Sequence, residues 1–130
     1  MMLARYISVF TLMAVAVWSC QAQSEHFERL SPEEVMEQMP ESSWQIVDVR
    51  TPAEVKRGYL KGTTYFFDFN SYDFEEQVEQ LDTAQAVLLI CRSGARSSRA
   101  AELLKEKGFG EVYDLKGGLM RWNHPGYIVK

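Results

Sequence analysis

Leu88-Leu89-Ile90-Cys91-Arg92-Ser93-Gly94-Ala95-Arg96-Ser97-Ser98-Arg99 is the stretch that decides the fold. An apolar run ends in a cysteine, and a short polar loop carrying a glycine and two arginines follows. The pattern then turns helical, with Ala100, Ala101, Leu103 and Leu104 on one face. A strand that hands a thiol to its C-terminal end, with a helix opening directly after, puts the sulfur where amide N–H groups converge and the helix dipole is positive. Such a place favours a thiolate, and an anion beside it.

Setting matters because a free thiol titrates near pKa ~8.5 and is mostly protonated at neutral pH. Lowering that value by about two units, at roughly 1.4 kcal/mol per unit, makes thiolate the major form. A helix N-terminus with arginines near it supplies terms of that kind. A lone cysteine would read as an inert, buried small hydrophobe. The loop that follows Cys91 tips the reading to a nucleophile, which must be ionised and within reach of solvent.

Working outward, 130 residues with 46% apolar and 25% charged content describe one ordinary globular domain. Ile7 to Trp18 is an apolar run with only Arg5 charged before Glu25, too short to span a bilayer and shaped like the core of a secretory signal. Val17-Trp18-Ser19-Cys20 is similar to a bacterial lipoprotein cleavage box, although Trp18 is bulkier than that box allows. The expected division is a lipoprotein-type signal peptide over 1–19, a tether over 20–27 and one domain over 28–130, with Cys20 the lipidated residue. A cut after Ala22 is the competing reading and would discard Cys20. Either way the expected destination is a bacterial envelope, periplasmic or membrane-anchored.

The net charge is −4, and removal of Arg5 makes the chain more acidic still. An acidic chain with no basic run argues against a nucleic-acid partner. Two cysteines make no disulfide framework. With Cys20 acylated or removed, Cys91 is a single thiol in an oxidising compartment, a hazard unless it is used.

Along the domain, Ser31-Pro32-Glu33-Glu34 and Thr51-Pro52-Ala53-Glu54 each carry a cap residue, a proline at the first helical position and a glutamate three after the cap. Strands are expected at 44–49, 63–67, 84–90 and 111–115, and helices from 31 to 39, from 51, over 74–81 and over 97–107. Gly117-Gly118 should open a further short helix through Trp122. Strands alternating with helices predict an α/β fold, a parallel β-sheet flanked by helices on both faces. Ligands of such sheets bind beyond the carboxyl ends of the strands, where Cys91 falls.

Asp48-Val49-Arg50-Thr51-Pro52-Ala53-Glu54, Gly58-Tyr59-Leu60-Lys61-Gly62, the loop Cys91 to Ser97, and Gly117-Gly118 with Trp122 together resemble the rhodanese homology domain. The resemblance runs from about Phe27 to Lys130 and is nearest to secreted, stand-alone members. Tyr59 stands where that family usually has histidine, Lys61 where it often has proline, and Tyr65-Phe66-Phe67 replaces an asparagine-containing segment. The resemblance implies a thiosulfate sulfurtransferase. Cys91 attacks the outer sulfur of a donor such as thiosulfate, becomes a persulfide, and passes the sulfur to a thiol or cyanide.

Two anions must then meet, so the site needs fixed positive potential. Backbone N–H groups of Arg92, Ser93, Gly94, Ala95, Arg96 and Ser97 are expected to cradle the sulfur, and the Arg92 and Arg96 guanidinium groups to orient the donor. Ser93, Ser97 and Ser98 are expected to cap loop and helix, Gly94 to give the loop backbone freedom, and Arg99 to be a solvated charge. Asp48 and Arg50 read as a structural ion pair, and Trp122 as core. His26 and His124 are the only histidines, with no spacing that suggests a metal or a Cys–His pair. No cofactor and no metal are needed, the partners are small molecules, and the expected state is a monomer.

Three rivals stay open. A phosphatase of related fold needs cysteine, five residues, then arginine; here Ser97 holds that place and Arg96 comes one residue early. A persulfide carrier or protein-interaction module would use the same loop without turnover. A redox sensor would use the same thiol, but no resolving cysteine lies nearby.

Overall fold

The computed structural model describes residues 26–130. The signal peptide, Cys20 and most of the tether therefore lie outside the described residues. Phe27, expected as the end of the tether, packs against the core.

Five strands form one parallel sheet: β1 (Glu28–Leu30), β2 (Gln45–Asp48), β4 (Tyr65–Phe66), β5 (Val87–Ile90) and β6 (Val112–Leu115), in the order β1-β6-β5-β2-β4. The short β3 (Tyr59–Leu60) pairs antiparallel with β7 (Ile128–Val129) beside it. Helices α1 (Pro32–Gln38), α2 (Pro52–Val55), α3 (Phe74–Val78) and α4 (Ala95–Glu106) alternate with the strands. The α/β class read from the sequence is the observed one.

β5 is central, paired with β2 through Val47↔Leu89 and with β6 through Leu89↔Asp114. Its continuous apolar run follows from having no solvent face. Val87, Leu89 and Cys91 point into one buried layer with Phe74, Val78, Ala100, Ala101 and Leu104 of α3 and α4. Leu88 and Ile90 point into the other, with Val35 of α1, Leu60, Leu115 and Trp122. A period of two thus serves two cores, and it carries Cys91 onto the α3/α4 side.

Both short N-terminal helix signals hold. Ser31 accepts from the Glu34 N–H while the Glu34 carboxylate accepts from the Ser31 N–H, and Thr51 and Glu54 repeat the arrangement. Other boundaries differ. β5 begins at Val87 rather than Ala84, because the Asp82 carboxylate accepts the Ala84 N–H and turns the chain first. α4 begins at Ala95, two residues earlier than expected. The segment after Gly117-Gly118 is a single 3-10 turn, Leu119–Arg121.

Candidate active site

The C-terminal ends of β5 and β6 meet the start of α4, Cys91 following the one and Asp114 lying in the other. The sulfur of Cys91 accepts the Gly94 N–H at 3.0 Å and lies 3.2 Å from the Ser97 hydroxyl. Gly94 is the N-cap of α4 and holds φ +95°, a left-handed value that turns its amide back toward the sulfur. Its contribution is therefore contact as well as the expected backbone freedom. The first amides of α4 have no acceptor within the helix, so its positive end faces the same place.

The serines correct the reading made from sequence. None of them caps α4, whose N-cap glycine offers no side chain. Ser97 is buried and turned to Cys91. Ser98 donates to the Gly94 carbonyl at 2.6 Å and also contacts the Asp114 carboxylate at 2.9 Å. Ser93 is exposed on the loop, as are Arg92 and Ala95.

Cys91 itself is 0% exposed, which corrects the expectation of a solvent-reachable sulfur. The loop is pinned from the far side. The Leu119 N–H donates to the Cys91 carbonyl and the Met120 N–H to the Arg92 carbonyl, both at 2.9 Å. Gly118 makes this approach feasible, since a Cβ there would stand 2.4 Å from the Arg92 carbonyl oxygen.

Arg96 is also not where the sequence reading put it. Its Nη1 and Nη2 donate to the two oxygens of Glu54, each at 2.7 Å. This fork is bidentate and partly shielded, and Thr51 donates to the same carboxylate from its backbone and hydroxyl. The Arg96 guanidinium holds the Glu54 carboxyl down to about 2, with Thr51 assisting against the cost of burial. In turn Glu54 raises the Arg96 pKa. Arg92 makes no ion pair among the described residues and is exposed, so it is the free guanidinium of the loop.

Asp48 and Arg50 form the structural pair expected of them. Arg50 Nη2 meets Asp48 Oδ2 at 2.7 Å and the Gly58 carbonyl at 2.8 Å, both residues being buried. Trp122 is core, as expected. His124 packs on Trp122 at 5.7 Å, on the opposite side of the sheet from the layer holding Cys91. Arg99 is exposed, with its guanidinium 5.2 Å from the Phe69 ring centroid. Tyr59 stacks edge-on with the 44% exposed Phe66 at 5.0 Å, and Phe66 joins Arg50, Lys56 and Asp68 around a cavity of 430 Å³.

Sequence reasoning missed Glu54 as the partner of Arg96, though it had found the residue as a cap. It also missed Asp114, a fully buried carboxylate at the end of β6 that bonds to Ser98 and to Arg29 Nε. Burial raises the Asp114 pKa against the lowering effect of Ser97, Ser98 and Arg29. An acid inside the apolar run Val112-Tyr113-Asp114-Leu115 was the available signal.

The arrangement can hold a sulfur anion at a helix N-terminus and offer it a hydroxyl. The family model described as Rhodanese-like domain matches residues 31–125. The chain is 31% identical over 99 residues to a thiosulfate sulfurtransferase, GlpE, of Pseudomonas aeruginosa, covering 76% of this chain and 86% of that one. It is 32% identical over 84 residues to a sulfurtransferase of Allochromatium vinosum, covering 65% and 76%. A rhodanese-like domain protein of Staphylococcus aureus superposes with TM-score 0.69 at 24% identity, over 80% of this chain and 99% of the other.

Proposed function

The chain belongs to the Rhodanese-like domain family, and from that premise we propose that it transfers sulfane sulfur as a persulfide on Cys91. The observation that carries this reading is the Cys91 sulfur held by the Gly94 N–H and faced by the Ser97 hydroxyl at the start of α4. The first step joins the Cys91 thiolate to the outer sulfur of thiosulfate. The S–S bond of the donor breaks, its electron pair leaves on sulfite, and Cys91–S–S⁻ remains. In the second step an acceptor thiolate or cyanide takes the outer sulfur, and the electron pair of the breaking bond returns to Cys91.

Positive potential for this chemistry comes from the Gly94 amide, the start of α4 and the exposed Arg92, which we assign to the donor oxyanion. Arg96 is tied to Glu54 and acts as a wall. The persulfide places the reacting atom about 2.05 Å beyond the buried sulfur. A loop with Ser97 at the sixth place after Cys91 has no arginine for a phosphate, which disfavours phosphatase chemistry.

Burial of Cys91 favours one second reading, a carrier that shelters its persulfide for a partner. Turnover decides between the two. The enzyme reading expects many cycles of thiosulfate to thiocyanate per protein and none for Cys91→Ser; a single sulfur loaded per chain would indicate the carrier. Turnover retained by Cys91→Ser would refute both. Export and lipid attachment at Cys20 belong to the same proposal, and the mass of the mature N-terminus from bacterial membranes tests them.

A further inference from the structure

Asp114 is a fully buried carboxylate that the sulfur chemistry above leaves unused. The register Leu89↔Asp114 places Asp114 and Cys91 on one face of neighbouring strands, two residues out of step. α4 covers that face and lays two successive serines on it. Ser98 Oγ meets Asp114 Oδ2 at 2.9 Å, while Ser97 Oγ turns to the Cys91 sulfur at 3.2 Å, where either atom can donate. Arg29 of β1 donates its Nε to the same Oδ2 at 3.0 Å. The other oxygen, Oδ1, is buried and has no hydrogen-bond partner among the described residues. An ionised carboxylate seldom leaves an oxygen bare in an apolar layer. Burial raises the Asp114 pKa, and Ser97 is first among the groups that oppose it. The hydroxyl that faces the sulfur therefore also lies beside the carboxyl.

The surrounding charges leave these two acids to each other. Arg96 lies within electrostatic reach of Cys91 but is bonded to Glu54, with Asp68 near the same guanidinium. Arg99 lies over the Phe69 ring and Arg92 is exposed. Asp48 of β2 is closed by Arg50, and α3 presents Phe74 and Val78. Arg29 is thus the one cation bonded to Asp114. Ionising Cys91 beside an ionised Asp114 would put two negative charges into one apolar layer, which its low dielectric resists.

We propose that Cys91 and Asp114 share one proton through Ser97, so that the thiolate forms by passing its proton to Asp114 instead of to water. The inference rests on Cys91 being the nucleophile, as in the reading above. The S–H bond breaks and leaves its electron pair on sulfur. Its proton goes to Ser97 Oγ, and the proton of that hydroxyl passes to Asp114 Oδ1, where an O–H bond forms. In the first form the thiol donates to Ser97 and Ser97 to Oδ1; in the second Oδ1–H donates to Ser97 and Ser97 to the thiolate. The layer gains no charge, since one negative charge moves from carboxylate to sulfur, where the Gly94 amide and the start of α4 receive it. Asp114 touches no substrate and is a positioning residue that acts on the sulfur through Ser97.

The test is carbon NMR of the full chain across pH, before any sulfur donor is added, resolving Cys91 Cβ and Asp114 Cγ. In the unaltered chain both resonances should move in the same two steps, separated by more than about one pH unit. Asp114→Asn keeps an acceptor for Arg29 and Ser98; there the Cys91 resonance should move in a single step, below the upper step of the unaltered chain. One step for Cys91 in the unaltered chain, or two steps in Asp114→Asn, overturns the shared proton. So does an Asp114 carboxyl that finishes titrating before Cys91 begins, a result that needs no variant to fold. Shared steps in a chain that gains no sulfur from thiosulfate would uphold this proposal and overturn the sulfurtransferase reading alone.

Discussion

Arg96 commits both terminal nitrogens to Glu54, and that choice decides which residue can meet a donor. Arg96→Ala should therefore slow anionic and neutral sulfur donors alike. A loss confined to anionic donors would return Arg96 to the substrate. The same variant leaves Glu54 without its main partner and should cost about 1 kcal/mol, the top of the range for ion pairs in contact with solvent. Glu54 titrates at about 2 against an ordinary 4.5, so the pair contributes fully above about pH 4.5 and its contribution is lost as pH falls toward 2. Stability of the unaltered chain should thus drop through that window more steeply than stability of Arg96→Ala. Parallel curves from urea titrations at each pH would contradict the assignment. Cys91 could be found from sequence because its strand, loop and helix are contiguous. The partner of Arg96 could not, because Glu54 is 42 residues away and reaches it only through the fold.

At the level of elements, the loop after β5 is shaped by α4 on one side and by the turn at Gly117-Gly118 on the other. Backbone meets backbone there, so no side chain can yield. Gly118→Ala drives a Cβ to 2.4 Å from the Arg92 carbonyl oxygen. It should destabilise by on the order of 2–4 kcal/mol and displace the loop, lowering the rate of persulfide formation. A variant with unaltered melting and rate would show that the turn does not shape the loop. The capping boxes at Ser31 and Thr51 were legible because each is complete within four residues. β3 and β7 were not, since a two-residue ladder joining Tyr59–Leu60 to Ile128–Val129 leaves no periodic trace in either segment. The early start of α4 escaped for a related reason: a glycine in left-handed conformation caps it, where sequence rules look for a serine.

Across the whole molecule, one sheet separates two apolar layers, and β5 supplies alternate side chains to both. Neither layer can melt without exposing the strand that the other needs. Unfolding should be a single cooperative transition. Among the described residues the tryptophans are Trp44 and Trp122, both on the α1 side, so their fluorescence follows one layer while far-ultraviolet circular dichroism follows all helices. The two signals should coincide in urea; separated midpoints would mean the layers fold independently. The α/β class itself was readable because strand and helix periods alternate along the chain. The burial of Cys91 was not, since its side chain joins a layer with Phe67, Phe74, Val78 and Leu104 that only the fold brings together from separate parts of the sequence.

All of this converges on the Cys91 sulfur as the atom that receives a sulfane sulfur. Mass spectrometry of the full chain after brief exposure to thiosulfate, with peptides mapped under non-reducing conditions, tests it most directly. The prediction is one added sulfur on the peptide containing Cys91, removed by cyanide and missing from Cys91→Ser. An unmodified Cys91 peptide in folded protein, or sulfur carried elsewhere on the chain, would contradict it.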